Sequence, residues 1–266
     1  MVPAASTIVA GVHRERVLGN PVHAVSRPDA IRLVLERVRE SSPGAFVCLT
    51  NAHTAVESRR SGPLRDAAER AFLSVPDGMP LVWVLRRRGH RTTQKVTGIE
   101  FMPAVAAAGI GSGLRHYLYG GAPGVAEAAA LSLRTMVPGA QVVGASTPPV
   151  SERADWSLDD LRASIAETQP DILWVGLGAP KQEIWMARVA GSLDVPVMVG
   201  VGAAFDFLAG TKRAAPRFLS DIGLEWLFRL LSEPRRLARR YVAGNSLFVY
   251  FLARDALGGR AGRGTS

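Results

Sequence analysis

Cysteine is nearly absent from this chain. The single residue, Cys48, can form no intrachain disulfide and supplies no Cys-based zinc site, so a reducing compartment is the natural reading. Histidine occurs five times (His13, His23, His53, His90, His116) but never at a paired spacing such as H-x-x-x-H, and no protein-bound metal is expected. Long apolar runs are missing too. None reaches the ~18–20 residues that cross a bilayer, and the run at residues 247–252 is far too short. The opening MVPAASTIVAGVHRER is apolar but short and lacks a basic leader, so it is not read as a secretory signal. A cytosolic or membrane-peripheral protein is expected. The sequence also lacks a G-x-x-x-x-G-K-[ST] loop, a G-x-S-x-G elbow and a D-x-D in any strand-end loop, which excludes a P-loop, a serine-hydrolase nucleophile and a metal-held phosphate of that type.

What is present is a chain of 266 residues, 47% hydrophobic, enough for one large α/β domain or one domain with an appendage. The net charge is +9, unevenly spread. Residues 212–263 hold eleven Lys/Arg against four Asp/Glu and so carry most of it. A basic tail on a near-neutral body suggests an anionic partner: a membrane surface, a phosphate-bearing substrate or nucleic acid.

Short apolar runs alternate with helical patterns. Residues 15–24 read as a strand pair broken at Gly19-Asn20-Pro21, and Ser26 caps a helix with Pro28 in its first turn. Strands are predicted at 45–49, 72–75, 114–119, 141–145, 172–177 and 195–201. Helices are predicted through 55–60, from Pro63, and at 80–88, 101–108, 159–167, after Gly124 and after Glu183. Several strands are near-continuous Val/Ile/Leu runs, the pattern of a parallel sheet covered on both faces. From Pro216 onward the pattern turns helical and basic. The expected architecture is a three-layer α/β/α Rossmann-like, mostly parallel sheet over residues 1–212, with a helical basic C-terminal appendage over 213–266.

In open parallel sheets, ligands bind at the carboxyl ends of the strands. Four such loops carry unusual residues: Thr50-Asn51, Pro76-Asp77-Gly78, the glycine-rich loop from Gly120 and Gly121 to Gly124, and the loop from Gly178 to Glu183. Glycine lets a phosphate approach the backbone, and the next helix offers free N–H donors; equally, these glycines could only make tight turns. Asp77 reads either as a cap for the following helix or as a general base taking a proton from a hydroxyl. Asn51 and Gln182 could bond sugar hydroxyls or an N-acetyl group, or could be capping and turn residues. For Asp206 a structural role is preferred. Dinucleotide fingerprints are incomplete: Gly176-Leu177-Gly178 meets Lys181, and Gly200-Val201-Gly202 meets Phe205, where a third glycine belongs.

The strings PDGMPLVW (76–83), VTGIEFMP (96–103), YGGAPGVAE (119–127), VGLGAPKQEIW (175–185), GVGAAFDFLAG (200–210) and LEWLFRLLSEPRRLARRY (224–241) occur in this order. Together they closely resemble the WecG/TagA/CpsF family of glycosyltransferases, over roughly residues 15–255. The resemblance implies a metal-independent, inverting transfer, with no cofactor. N-acetylmannosamine or a related sugar, a hexose or a uronic acid would pass from a UDP-sugar donor to a polyprenyl-diphosphate-linked acceptor in surface-polymer or teichoic-acid synthesis. It places the base on Asp77, the loop glutamine on Gln182 and a basic residue, more often arginine, on Lys95. The family's T-x-N becomes Leu49-Thr50-Asn51, so Asn51 matches and the threonine is displaced to Thr50. Appendage arginines thought to close over the diphosphate fall on Arg229, Arg236 and Arg239.

The appendage also has a reading of its own. Leu224, Leu227, Phe228 and Leu231 form an apolar stripe among arginines, as in a helix lying on anionic lipid at the inner membrane face, or in an ordinary packing helix. Two rival functions stand beside sugar transfer: an NAD(P)-type oxidoreductase and a non-catalytic basic membrane- or nucleic-acid-binding module. Nucleic acid is disfavoured because the tail lacks aromatic spacing for base stacking. The oligomeric state is left open.

Overall fold

The computed structural model describes residues 11–149, 158–213 and 246–255, together with positions 215, 216, 219, 227, 228, 230 and 244. The described residues begin with an antiparallel hairpin, β1 (Arg14–Val17) and β2 (Asn20–His23), turned at Leu18-Gly19. Helix α1 (Arg27–Arg39) follows, with Ser26 at its cap accepting from the Asp29 N–H at 3.2 Å and Pro28 in its first turn. Then come β3 (Ala45–Thr50), α2 (Ala52–Ser58), α3 (Gly62–Arg70), β4 (Leu73–Pro76), α4 (Met79–Arg87) and α5 (Gly98–Gly109). The second half runs β5 (Arg115–Gly120), α6 (Val125–Met136), β6 (Gln141–Ser146), α7 (Asp159–Thr168), β7 (Ile172–Gly176), α8 (Lys181–Val189), β8 (Val197–Gly200) and α9 (Ala204–Leu208).

Six strands form one sheet in the order β4-β3-β8-β7-β5-β6, and every pairing is parallel. Helices α1, α5, α6 and α9 bury Leu33, Phe101, Ala129 and Phe205 against Val47, Trp174 and Val199 on one face. Helices α3, α7 and α8 bury Ala67, Ile165 and Trp185 against Phe46, Leu173 and Met198 on the other. Both faces of each central strand are therefore apolar, which is why the strands read as continuous Val/Ile/Leu runs. The expected three-layer α/β/α sandwich is what the chain adopts.

After β5 the chain crosses by α6 on the first face; after β7 it crosses by α8 on the second. Neighbouring strands whose connections leave in opposite directions open a crevice at their carboxyl ends. The glycine-rich loops after β5 and β7 flank that crevice. A third cluster packs the hairpin, α2 and α4 around Leu81 and Leu85, and Phe248 of the helical stretch 246–255 is buried in it. The same stretch is tied to α2 by the Arg59–Asp255 ion pair at 3.0 Å and by Arg59 lying over the Phe251 ring.

Three sequence expectations are corrected. The strand expected at 195–201 shortens to β8: Pro196 has no N–H for the ladder, although the Val195 and Pro196 carbonyls still accept from Gly44 and Ala45. The helix expected from Phe101 begins at Gly98. Past the end of β8, where no helix is expected, residues 204–208 form the five-residue helix α9. Arg229, Arg236 and Arg239 lie outside the described residues. Among the described residues no helix is long and apolar enough to cross a membrane.

Candidate active site

Backbone and amide hydrogen bonds link the strand-end loops into one belt. Asp77 N–H donates to the Thr50 carbonyl at 2.7 Å, and the Pro76 carbonyl accepts from Val96 N–H at 2.9 Å. The loop carrying Val96-Thr97-Gly98 then lies against the end of β8. A Cβ on Gly98 would stand 2.9 Å from the Val201 carbonyl oxygen, so no larger residue fits without movement. Val201 N–H donates to Val175 O at 2.9 Å, and Gly202 N–H donates to Gln182 Oε1 at 2.9 Å. Gly121 N–H bonds Gly176 O at 3.0 Å, and Thr147 Oγ1 bonds Gly120 O at 3.1 Å. Gly120 holds a φ of +129°, and its missing Cβ would meet the Gly176 carbonyl carbon at 2.6 Å, so only glycine suits that position.

Asp77 does not occupy the cap position of α4. The cap position is Gly78, at a φ of +125°, and Asp77 sits one residue outside the helix, half-buried, with its backbone pinned on the β3 side. Three further carboxylates near these loops have defined contacts. Asp206 pairs with Lys212 at 3.1 Å. Glu100 pairs with Arg27 at 2.8 Å and accepts from Thr97 Oγ1 at 3.1 Å. Glu183 is 1% exposed and accepts from Gln182 Nε2 at 3.0 Å. Two other candidate nucleophiles or bases are held in their neutral forms. Burial, reinforced by Glu183, pushes the Cys48 thiol well up, and burial with Tyr117 nearby pushes the Tyr119 phenol up to about 12.

The remaining sequence candidates divide by orientation. Thr50 is buried and its hydroxyl is shared with Ser74 Oγ at 2.8 Å, joining β3 to β4. Gln182 is 3% exposed, and both ends of its amide are engaged inside the protein, by Gly202 and by Glu183. Asn51 caps α2: its Oδ1 accepts from Thr54 N–H and Thr54 Oγ1, each at 3.1 Å. Gly121 and Gly178 hold φ values of +79° and +81°, and nothing approaches the Cβ position of Gly178. Lys95 lines a cavity of about 300 Å³ with Arg27, Met79, Arg86 and Gln94. Sequence reasoning missed that cluster. Its signal was the run from Arg86 to Lys95, which holds five Lys/Arg and no Asp/Glu.

Residues 15–262 match the glycosyl transferase WecG/TagA/CpsF family. The chain belongs to that family. It is therefore a glycosyltransferase, and the dinucleotide oxidoreductase alternative falls away. Two relatives are N-acetylglucosaminyldiphosphoundecaprenol N-acetyl-beta-D-mannosaminyltransferases. The one from Bacillus spizizenii (strain ATCC 23059 / NRRL B-14472 / W23) is 26% identical over 200 residues, covering 75% of this chain and 76% of the relative. The one from Bacillus subtilis (strain 168) is 24% identical over 196 residues, covering 74% of this chain and 75% of the relative. Within this WecG/TagA/CpsF chain, Gly244 and the stretch 246–255 lie beside α2, the helix that Asn51 caps. A Cβ on Gly244 would stand 3.6 Å from His53 Nδ1, which brings that residue to the corner of the site held by Asn51.

Proposed function

We propose that this glycosyltransferase moves an N-acetylmannosamine-type sugar, with inversion, from a UDP-sugar to a sugar carried on a polyprenyl diphosphate. The reading is carried by Asp77, a carboxylate that follows β4, lies one residue before the cap position of α4 and stands two residues before Met79 in the wall of a cavity lined by Arg27, Arg86 and Lys95. The activity for which the two relatives are named supports the choice of acceptor and sugar.

Asp77 takes the proton of the acceptor hydroxyl as that oxygen attacks the donor's anomeric carbon. The bond from that carbon to the diphosphate breaks, and UDP departs with the electron pair. Backbone N–H groups of the loops that follow Gly121 and Gly178 meet its phosphates. Arg229, Arg236 and Arg239 add positive charge as the leaving group develops. Asn51 keeps its amide nitrogen for a sugar hydroxyl or N-acetyl carbonyl, since the cap uses only its oxygen. Gln182 and Thr50 act by positioning loops. The basic segment 213–266 serves as an appendage that meets anionic lipid at the inner membrane face, where a polyprenyl-linked acceptor resides.

The test is a panel of UDP-sugars offered with a soluble short-chain polyprenyl-diphosphate N-acetylglucosamine. Mass spectrometry and NMR of the product are expected to show one added β-linked N-acetylmannosamine. Transfer from no UDP-sugar, or an α-linked product, would overturn the proposal.

A further inference from the structure

Glu183 is a buried carboxylate that the transfer mechanism above does not use. It sits in the first turn of α8, where a negative charge meets the positive end of the helix. Its Oε1 accepts a hydrogen bond from Gln182 Nε2 at 3.0 Å. The oxygen of that amide accepts the Gly202 N–H at 2.9 Å, and the Gln182 backbone N–H donates to the Gly178 carbonyl at 3.0 Å. The Gln182 side chain lies against β8, since a Cβ on Gly200 would stand 3.0 Å from its Nε2. Cys48 of β3 is near enough for the Glu183 charge to help raise its thiol. One buried pair therefore joins the loops after β7 and β8, alongside β3.

We infer that Glu183 is a positioning residue for sugar transfer: it fixes the Gln182 amide, and the amide fixes the loop that follows β8. The inference takes from the reading above only that Asp77 is the base. An amide has a donor end and an acceptor end that cannot be exchanged. An ionised carboxylate can only accept, so it holds the nitrogen and turns the oxygen toward Gly202. A hydrogen bond to a charged acceptor is roughly twice as strong as a neutral one. The Gly202 turn then acts on the next link. The Val201 carbonyl stands against Gly98, where a Cβ would come within 2.9 Å, and Val96 of the same loop donates to the Pro76 carbonyl at 2.9 Å. Pro76 precedes Asp77, whose own N–H donates to Thr50 O at 2.7 Å. A displaced Gly202 turn therefore has a packed path to the base, and a misplacement of about 1 Å can cost about 10²-fold in rate.

The test is a graded series at residue 183: wild type, Glu183→Gln, which keeps an uncharged acceptor, and Glu183→Leu, which keeps none. The same series is repeated in a Gln182→Leu background. The readouts are kcat at saturating substrates, UDP affinity by calorimetry, hydrogen exchange of the Gly202 N–H by NMR, and the urea midpoint. kcat is expected to fall about threefold in Glu183→Gln and about tenfold to a hundredfold in Glu183→Leu, with UDP affinity within about threefold of wild type. Gly202 exchange should quicken in the same order. In the Gln182→Leu background the series should flatten to about twofold, because Glu183 acts through that amide. If Glu183→Leu does not fold, the Glu183→Gln step and its disappearance in the Gln182→Leu background carry the test. Losses that add across the two positions, or that merely follow the urea midpoint, would overturn the inference. So would an unchanged kcat beside faster Gly202 exchange, or a loss of UDP affinity as large as the loss in kcat. Normal turnover by Asp77→Asn beside an intact residue-183 series would remove the base assignment and keep the positioning role. If the wild type transfers no sugar, Gly202 exchange decides: a series that flattens without Gln182 supports the clamp, and one that does not overturns it.

Discussion

Acid is expected to loosen the sheet at His116, and the size of the effect follows from its surroundings. His116 lies on β5 with no solvent exposure. Its Nδ1 accepts the Trp174 Nε1–H at 3.2 Å, and the two rings stack with centroids 6.0 Å apart. Nε2 is buried without a partner, so a second proton would break the tryptophan bond and place a charge in the core. Burial accordingly holds the imidazole down to about 4 from an ordinary 6.5. The unfolded chain therefore takes the proton first. Stability from this group is complete above the unfolded value and is lost as the pH falls toward the folded one. Linkage across that interval gives a loss of about 2 kcal/mol at pH 5 and about 3 kcal/mol at pH 4. His116→Gln removes the titration while leaving an oxygen to accept the Trp174 N–H. Urea unfolding of both proteins at pH 7.5 and pH 5 is the assay. Wild type should lose about 2 kcal/mol more than the variant between the two conditions. His23, also held down to about 4 by burial, contributes equally to both and drops out of the comparison. Equal losses in the two proteins would refute the reasoning.

Three further outcomes are expected. Gly120→Ala should cost about 3 kcal/mol or more, because it strains a φ of +129° and drives a Cβ to 2.6 Å from Gly176, as a lowered urea midpoint would show. Gln182→Leu leaves the Gly202 N–H without its acceptor and should cost about 1–3 kcal/mol, lowering Tm by several degrees in a thermal melt. EDTA should leave turnover within about twofold, since no D-x-D occurs and no metal-holding group of His, Cys, Asp or Glu forms among the described residues; rescue of lost activity by Mg²⁺ or Mn²⁺ would contradict this.

The layered fold was legible because its signals are local. Apolar runs such as AFVCL marked strands, and Ser26 and Pro63 marked helix starts. Helix α9 was hidden because five residues hold less than two helical turns, too few for a periodic pattern. The strand order was hidden for a different reason: β3 pairs with β8 across about 150 residues, and nothing local encodes that pairing. In the site, the strings around Asp77 and Gly120 stood out by their turn chemistry. Orientation did not. The direction of the Thr50 hydroxyl toward Ser74, and of the Gln182 amide toward Gly202, is set by neighbours distant in sequence. The Arg27–Arg86–Lys95 cavity likewise joins α1, α4 and a loop, so each residue alone looked like ordinary surface charge.

The most direct measurement is single-site kinetics on Asp77→Asn, with UDP affinity measured on the same preparation. The substitution keeps the shape of the side chain and removes its basicity. A folded variant should show kcat lowered about 10²- to 10⁴-fold, the usual weight of a general base, with UDP affinity within about twofold of wild type. Near-normal turnover by folded Asp77→Asn would contradict the assignment and move the base elsewhere among the strand-end loops.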